Sequence, residues 1–300
     1  SCNTTQTAAP TAAPAASDKT EVAPLQLDQR IPVPGVSGRI DHFTAYPKRR
    51  LLIFAALGNN TVEVINTFEG KVIQTIKGLN EPQGVLFVPE FNKLFVANAA
   101  TGMVNVYDGK TWALRKSILI GEESDTDNLR YDEATKRVYV GIVGGIAMID
   151  AATEMRVGQD LKGSGGHSES FQLEKKGSRV FVNVPDDNSI VNVIDRKTGE
   201  LTKWSLDGIK ANYPMALDED NHRLFVGTRR PPFVVVLDTD NGKQVAKVPI
   251  GGNCDDVWYD ADRKRIYAFG ANGYISAIQQ NDPDHYSLIS NIPSTIGVRT

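Results

Sequence analysis

One set of residues in this 300-residue chain combines chemically active side-chain types with a nearly constant spacing. Its members lie 42, 43, 42, 44 and 42 residues apart: His42, Gly84, Asp127, Glu169, Tyr213 and Asp255. The residue before each member gives a second, mostly polar set: Asp41, Gln83, Thr126, Ser168, Asn212 and Cys254. His167 and Arg299 fall in the same neighbourhood of the pattern. Such a spacing predicts that a repeated structure brings these side chains to one place.

Imidazoles and carboxylates that converge have three interpretations. They could bind a divalent metal, since neutral histidine and carboxylate ligands together suit Zn, Mn or Fe. They could hold a small polar or cationic ligand. They could also form a solvated surface on which the acids only pair with Arg299 and Arg130. Seven residues are the candidates for ligand binding, and none is assigned a catalytic role: His42, Asp127, His167, Glu169, Asn212, Asp255 and Arg299.

The elements that must position these residues are short β-strands. Apolar strand centres recur every 42 to 44 residues, at Ile53, Phe95, Tyr139, Phe181, Phe225 and Tyr267. A β-rich run ending in Asn or Asp recurs with them, at Asn66, Asp108, Asp150, Asp195 and Asp238. Each unit has four strands separated by turns rich in Asp, Asn, Gly and Lys. A four-stranded sheet with this repeat needs a neighbour on each face, so the sequence predicts an all-β fold, a β-propeller.

The propeller geometry places the polar sets at the start of each inner strand, where loops converge on one mouth of the central channel. Later positions on the same strands are apolar, as at Leu86, Phe171, Met215 and Trp258. Packing therefore does not explain the polar diversity, and the mouth is the candidate site. Arg229 and Arg230, followed by two prolines, lie on the same face; they could hold an anion, but they are interpreted as an exposed basic turn.

The number of blades is predicted from six complete units that end near Ile292. Residues 25–33 match an outer strand, and residues 295–300 match the start of an inner strand. Together they predict an incomplete seventh blade, in a chain truncated at its C-terminus by about 30 residues according to the repeat length. The alternative is a ring of six blades with the N-terminal strand packed on an edge.

Residues 1–24 are predicted to form a disordered tether, followed by the propeller over residues 25–300. Residues 3–17 contain six Ala, four Thr, two Pro and one Ser, with no charge and nothing large enough to bury. A tether directly behind Ser1 and Cys2 resembles the start of a processed bacterial lipoprotein, which predicts acylation of Cys2. We therefore expect any membrane contact to be through that lipid anchor alone.

Composition excludes several classes of function. The chain has 33 Lys and Arg against 36 Asp and Glu, a net charge of −3, so nucleic acid is not expected as a partner. Its two cysteines, at positions 2 and 254, cannot build a disulfide framework or a cysteine zinc site. The 41% of hydrophobic residues is ordinary for a soluble globular chain.

The strand sequences LFVAN at 94–98, VYVGI at 138–142, VFVNV at 180–184 and LFVGT at 224–228 are each followed by a V-x-V-I-D-type strand. With DNLRYDEATKRVYVG and YPMALDEDNHRLFVG, they resemble the YVTN-repeat, YncE-like bacterial propellers over residues 25–300. The resemblance implies a seven-bladed propeller exported to the periplasm or cell envelope. It implies no catalytic residues.

The predicted function is therefore binding or scaffolding in the envelope, with a small molecule or an envelope protein recognised at the channel mouth. The alternative is an enzyme that uses a metal or an acid/base pair there, such as a lactonase, a lyase or an oxidoreductase accessory domain. No cofactor is assigned, although a divalent metal is compatible with the residues. The complete protein is expected to be a monomer.

Overall fold

A computed structural model describes residues 23–122 and 125–300, which form six antiparallel four-stranded sheets arranged as the blades of a propeller. The predicted all-β propeller with six complete units is thus confirmed. Cys2 and most of the predicted tether lie outside the described residues. Within the described ranges, helix is confined to short 3-10 turns, and no helix has the length and apolarity needed to cross a bilayer.

The strands are numbered in chain order, four to each blade. The first blade contains β1 (Phe43–Tyr46), β2 (Leu51–Ala56), β3 (Thr61–Asn66) and β4 (Lys71–Ile76). The second contains β5 (Pro82–Val88), β6 (Lys93–Asn98), β7 (Met103–Asp108) and β8 (Leu114–Leu119). The third contains β9 (Leu129–Asp132), β10 (Arg137–Asp150), β11 (Met155–Arg156) and β12 (Leu161–His167).

The remaining three blades follow the same order. The fourth contains β13 (Phe171–Leu173), β14 (Arg179–Val184), β15 (Ile190–Asp195) and β16 (Leu201–Trp204). The fifth contains β17 (Lys210–Asp218), β18 (Arg223–Arg230), β19 (Phe233–Asp238) and β20 (Gln244–Pro249). The sixth contains β21 (Cys254–Asp260), β22 (Arg265–Gly270), β23 (Tyr274–Asp282) and β24 (His285–Pro293). Three 3-10 turns cover Pro47–Arg49, Leu57–Asn59 and Pro89–Phe91.

The third blade has a different arrangement of strands from the others. Its long strand β10 pairs with β9, β11 and β12. The chain reverses within β10, because Ala151 N donates to Lys136 O at 2.9 Å and Gly144 has a φ of +80°. The outer position of this blade is then shared by β11 and β12. As a result β12 extends to His167, which pairs opposite Val143.

The periodic apolar residues all lie on the second strand of their blades. Ile53, Phe95, Phe181 and Phe225 are fully buried, and Tyr139 and Tyr267 are nearly so. Five clusters of buried side chains fill the spaces between successive blades, from the first to the sixth. These clusters remove both faces of the intermediate blades from water, which is the main force that holds radial sheets together.

The two terminal segments that were expected to be strands of a seventh blade carry no strand pairing in the structure. Ile31, Val33 and Val36 instead pack against Phe54 and Ile65. These two residues lie on the face of the first blade that is turned away from the second blade. Residues 294–298 hold to the sixth blade through backbone bonds such as Gly297 N to Ala271 O, at 2.7 Å. A segment becomes a β-strand only when its backbone groups pair with those of a neighbouring strand. The N-terminal segment packs on a sheet face, and the C-terminal segment bonds to a turn of the sixth blade.

A small apolar crevice is lined by residues of the first and sixth blades and of the C-terminal segment. It has a volume of about 220 Å³ and is lined by Phe43, Thr44, Ala45, Leu52, Trp258 and Thr300. Trp258 is 51% exposed, whereas the sequence pattern predicted a packed inner-strand residue. Trp258 is exposed because no cluster of buried side chains lies between the first and sixth blades among the described residues, so no neighbouring blade covers its ring.

The Asn or Asp at the end of each third strand organises the turn to the fourth. Asp195 Oδ1 accepts hydrogen bonds from Lys197 N at 2.8 Å and Thr198 N at 3.0 Å. The corresponding side chains of the other blades also accept hydrogen bonds from backbone N–H groups of the turn, one at Asp238 and two at each of the others: Asn66, Asp108, Asp150 and Asp282. Asp282 is the sixth member of the marker, which the sequence pattern missed. These local bonds explain the Asn or Asp at that position.

We expect Asp195→Ala to lower the free energy of unfolding by about 1 kcal/mol at neutral pH, because two backbone donors lose their acceptor. Asp195→Asn should cost much less, since Asn66 makes the same turn in the first blade. The backbone hydrogen bond from Thr198 lowers the pKa of Asp195. A lowered folded-state pKa stabilises the fold above the usual carboxyl pKa, and that contribution is lost as the pH falls through the folded value.

Urea unfolding at pH 7 and again between pH 5 and pH 3 checks this prediction. The difference in the free energy of unfolding between wild type and Asp195→Ala should be smaller near pH 3 than at pH 7. If Asp195→Asn lowered the free energy of unfolding as much as Asp195→Ala does, the prediction would be wrong.

Candidate functional site

A cavity of about 1290 Å³ runs along the propeller axis. Inner strands of several blades line it through residues such as Thr44, Leu86, Leu129 and Met215. At the end where these strands begin, six of the seven predicted binding residues line the same cavity: His42, Asp127, His167, Glu169, Asp255 and Arg299. We call this end the channel mouth.

Asp127 lies at the centre of one side of the mouth and is only 4% exposed. His42 Nε2 is 3.0 Å from Asp127 Oδ1, a hydrogen bond that joins the first and third blades. With its amide nitrogen turned toward Asp127, Gln83 donates to both carboxylate oxygens, at 3.1 and 3.2 Å. Donors from two other blades therefore hold this carboxylate in a fixed orientation.

His167 and Glu169 complete this side of the mouth. His167 Nε2 lies 3.5 Å from Asp127 Oδ2 and 3.9 Å from Glu169 Oε1. His167 Nδ1 is buried and has no hydrogen-bond partner among the described residues. Asp41 Oδ1 is 3.6 Å from His42 Nε2. We call Asp41, His42, Asp127, His167 and Glu169 the Asp127 cluster.

The backbone is bulged close to the mouth in the strands that carry Gln83, Tyr213 and Asp255, which also line the cavity. Register shifts interrupt three inner strands close to the mouth, between Pro82 and Val85 in β5, Asn212 and Met215 in β17, and Cys254 and Asp256 in β21. Such bulges add a residue and turn a side chain to a new direction. His167 is fixed separately, because its backbone N–H donates to Asp186 Oδ2 at 2.9 Å.

The cluster shifts the pKa values of its members strongly. Burial lowers the pKa of His42, but the charges of Asp41 and Asp127 outweigh it and raise the value to about 10. In the same way Asp127 and Glu169 outweigh burial and raise the pKa of His167 to about 9. Burial raises the pKa of Asp127, yet the two imidazoles hold it well below its usual range. Burial and the Asp127 charge raise the pKa of Glu169 to about 7.

A second group of charges lies in the same mouth, on the fifth and sixth blades. Asp255 accepts hydrogen bonds from both Arg229 and Arg299. The Arg229 guanidinium also lies over the Tyr213 ring, 4.0 Å from its centroid. These contacts correct the interpretation of Arg229 as part of an exposed basic turn, because only Arg230 is exposed. The strand β18 extends to the mouth and brings Arg229 inward.

Three residues of the sequence pattern lie apart from the Asp127 cluster. Asn212 is fully buried and donates to Asn183 Oδ1 and Ile190 O, at 2.9 and 3.0 Å. Cys254 is buried as well, and burial raises the pKa of its thiol. Arg130 forms no ion pair with Asp127 in the part of the chain that the structure describes; its guanidinium lies over the Phe171 ring, 5.5 Å from the centroid.

The fold and this mouth define a six-bladed propeller with a polar channel. No family model matches the chain. The chain is similar to proteins named "Uncharacterized protein YncE". That of Escherichia coli O157:H7 is 24% identical over 190 residues, 59% of this chain and 54% of the relative. That of Salmonella typhi is 24% identical over 212 residues, 66% of this chain and 59% of the relative. The chain thus spans little more than half the length of the curated relatives it matches.

Solved structures show the same fold. A chain of Kuenenia stuttgartiensis hydrazine synthase superposes with a TM-score of 0.75 at 16% identity, over 87% of this chain and 90% of that one. The WD40 repeats of RRP9 superpose with a TM-score of 0.75 at 10% identity, over 87% and 83%. At these identities the similarity concerns the fold alone.

Proposed function

We propose that this chain is a binding propeller of the bacterial envelope whose channel mouth takes a small ligand with a positively charged group. The observation that carries the proposal is the Asp127 cluster. It gathers side chains from the first, third and fourth blades and leaves them beside an open channel. A concave site with a few convergent polar groups and perturbed pKa values is typical of ligand binding.

The distribution of charge favours a cationic group. In the Asp127 cluster three carboxylates face two imidazoles. On the other side of the mouth, Arg229 and Arg299 already neutralise Asp255. With every group ionised the cluster has a formal charge of −1, and Glu169 is the carboxylate farthest from an imidazole, at 3.9 Å from His167 Nε2. A partly buried carboxylate gains most from a partner that supplies a positive charge and hydrogen-bond donors.

The experiment is a thermal-shift screen of small amines, quaternary ammonium compounds and amino acids, in buffer that contains EDTA. Compounds that raise the melting temperature are then titrated against Glu169→Gln, which keeps the side-chain shape but removes the charge. We expect a loss of affinity of about tenfold or more, the usual effect of one charge-assisted hydrogen bond.

The matched control is Glu133→Gln, which makes the same change at an exposed position of the third blade. It should bind as wild type does. Equal affinities for wild type and Glu169→Gln, or no cationic compound that binds, would refute the proposal.

Location in the envelope is a separate part of the proposal. It is supported by the charge-free tether at residues 3–17, which directly follows Ser1 and Cys2 in the sequence. Cell fractionation with mass spectrometry of the peptide that contains Cys2 tests it. Unmodified protein in the cytoplasmic fraction would contradict it.

A further inference from the structure

We propose that the Asp127 cluster binds one divalent transition-metal ion through Asp127 Oδ2, His167 Nε2 and Glu169 Oε1. This inference rests on the proposed function, since it names the cation that the channel mouth takes. The three atoms lie within 4.8 Å of one another. They come from the third and fourth blades, so the ion would also join two blades.

The distances at His167 suit a metal better than a hydrogen bond. His167 Nε2 lies 3.5 Å from Asp127 Oδ2 and 3.9 Å from Glu169 Oε1, both longer than the ordinary N–H···O distance of about 2.7 to 3.2 Å. Ligands bound to zinc at about 2.0 to 2.2 Å are separated from one another by about 3.3 Å at tetrahedral angles. The gap among these three atoms is therefore close to the size that an ion fills, while it is too wide for a shared proton.

The neighbouring trio of Asp41, His42 and Asp127 also lies within 4.8 Å but has a different character. Its shortest distance, 3.0 Å from His42 Nε2 to Asp127 Oδ1, is an ordinary hydrogen bond. Asp41 is also close to Arg39, at 3.6 Å. We therefore assign His42 to positioning. It holds one oxygen of Asp127 so that the other points toward His167.

The surroundings of the three ligands match those of metal sites. Metal-binding histidines usually have a carboxylate near the second ring nitrogen. Here Asp125 Oδ2 is 3.9 Å from His167 Nδ1, the buried atom that has no hydrogen-bond partner within residues 23–122 and 125–300. In their ionised forms, Asp127 and Glu169 supply two negative charges to a divalent ion. One imidazole and two carboxylates suit Zn, Mn or Fe, and three protein ligands leave coordination positions open toward the channel.

The test is isothermal titration of Zn²⁺ into the full chain after treatment with EDTA and desalting. A Cys2→Ser background removes a thiol that would compete for zinc. We expect one equivalent of tightly bound Zn²⁺, with affinity reduced at least about thirtyfold in His167→Ala and in Glu169→Gln. Loss of an orienting partner typically costs about 10- to 100-fold, so His42→Ala should lose about tenfold and His42→Gln should recover part of it.

The matched controls are His222→Ala and His285→Ala. Each imidazole lies beside a carboxylate on the surface, at 2.9 Å from Asp240 and 2.8 Å from Asp282. Neither change should affect zinc binding. Circular dichroism of every variant confirms that it is folded. With Co²⁺ in place of Zn²⁺, the visible absorption spectrum should change in His167→Ala but not in the controls.

Absence of zinc binding, equal affinity in His167→Ala and Glu169→Gln, or loss of binding in a surface control would overturn the metal inference. The screen with EDTA separates this result from the proposed function. If zinc does not bind but Glu169→Gln abolishes binding of an organic cation, the metal inference alone is wrong. If zinc binds but no organic cation does, the proposed organic ligand alone is wrong. If no cation of either kind binds, both are wrong.

Discussion

Glu154→Gln is expected to lower the free energy of unfolding by about 3 kcal/mol, because it leaves a buried ammonium group without its counter-charge. Lys93 Nζ lies 2.9 Å from Glu154 Oε1, and the two side chains are only 8% and 9% exposed. Lys93 belongs to β6 of the second blade, and Glu154 lies in the turn before β11 of the third. The pair therefore joins two neighbouring blades at a place that is largely shielded from water.

Two further contacts make this pair difficult to replace. Lys93 Nζ also donates to the carbonyl oxygens of Ala151 and Ala152, at 2.9 and 3.0 Å. Arg115 Nε donates to Glu154 Oε1 at 2.5 Å. Burial raises the pKa of Glu154, but the hydrogen bonds from Arg115 and Lys93 outweigh it and hold the pKa below its usual value. The stabilisation is thus present above the ordinary carboxyl pKa and is lost as the pH falls through the folded value.

Urea unfolding measures the effect, and the surface pair of Lys176 and Asp220 provides the control. Its atoms are only 2.5 Å apart, but its side chains are 79% and 75% exposed. Asp220→Asn should give an unfolding curve that superposes on that of wild type, since exposed ion pairs contribute little. Adding Lys93→Met to Glu154→Gln should restore part of the lost stability, because the buried charge is then removed and only Arg115, whose side chain is 44% exposed, loses its partner. A Glu154→Gln protein as stable as wild type would show that the pair is not a buried link between blades.

The sequence predicts the blades well because each blade repeats one set of physical demands. Ile53 and Phe225 lie at corresponding positions of a strand buried on both faces, and Asn66 and Asp195 accept the same turn hydrogen bonds. These demands are local or involve the adjacent blade, so a period in the sequence reveals them. The terminal segments differ, because a segment is a strand only if another strand pairs with it, and one sequence alone does not show that partner.

The channel mouth is predicted less completely because it depends on contacts between blades. The spacing places His42 and Asp127 at equivalent points of their blades, but it does not show that their side chains meet. Asn212 occupies a position next to the recurring set, and yet it is buried beside Asn183. The bulge between Asn212 and Met215 breaks the alternation of side chains on which a sequence argument relies. Arg229 reaches Asp255 only because the chain continues as β18 up to the mouth.

Gly84 explains how His42 of the first blade reaches Asp127 of the third across the second blade between them. The equivalent positions of the other blades carry larger side chains: His42, Asp127, Glu169, Tyr213 and Asp255. A Cβ on Gly84 would overlap the backbone carbonyl oxygen of Asp127 and would lie 3.2 Å from Leu129 Cγ. The Asp127 backbone is not free to move away, since its N–H donates to Gly141 O at 3.2 Å and Gly141 N donates to Asn128 O at 2.9 Å. The close approach of the two blades therefore requires glycine.

We expect Gly84→Ala to destabilise the protein by about 3 kcal/mol, because one of two packed backbones must shift to make room. The same shift moves the Asp127 carboxylate relative to His42 and His167, so zinc or cationic ligands should bind at least about tenfold more weakly to the folded variant. Gly165→Ala is the control, since a Cβ there meets open space and lies two residues from His167 on the same strand. It should change neither the urea midpoint nor the affinity. If Gly84→Ala is as stable as wild type but binds weakly, the glycine is needed for the geometry of the channel mouth and not for the stability of the fold. If Gly84→Ala matches wild type in both stability and affinity, the close contact between the second and third blades does not position Asp127.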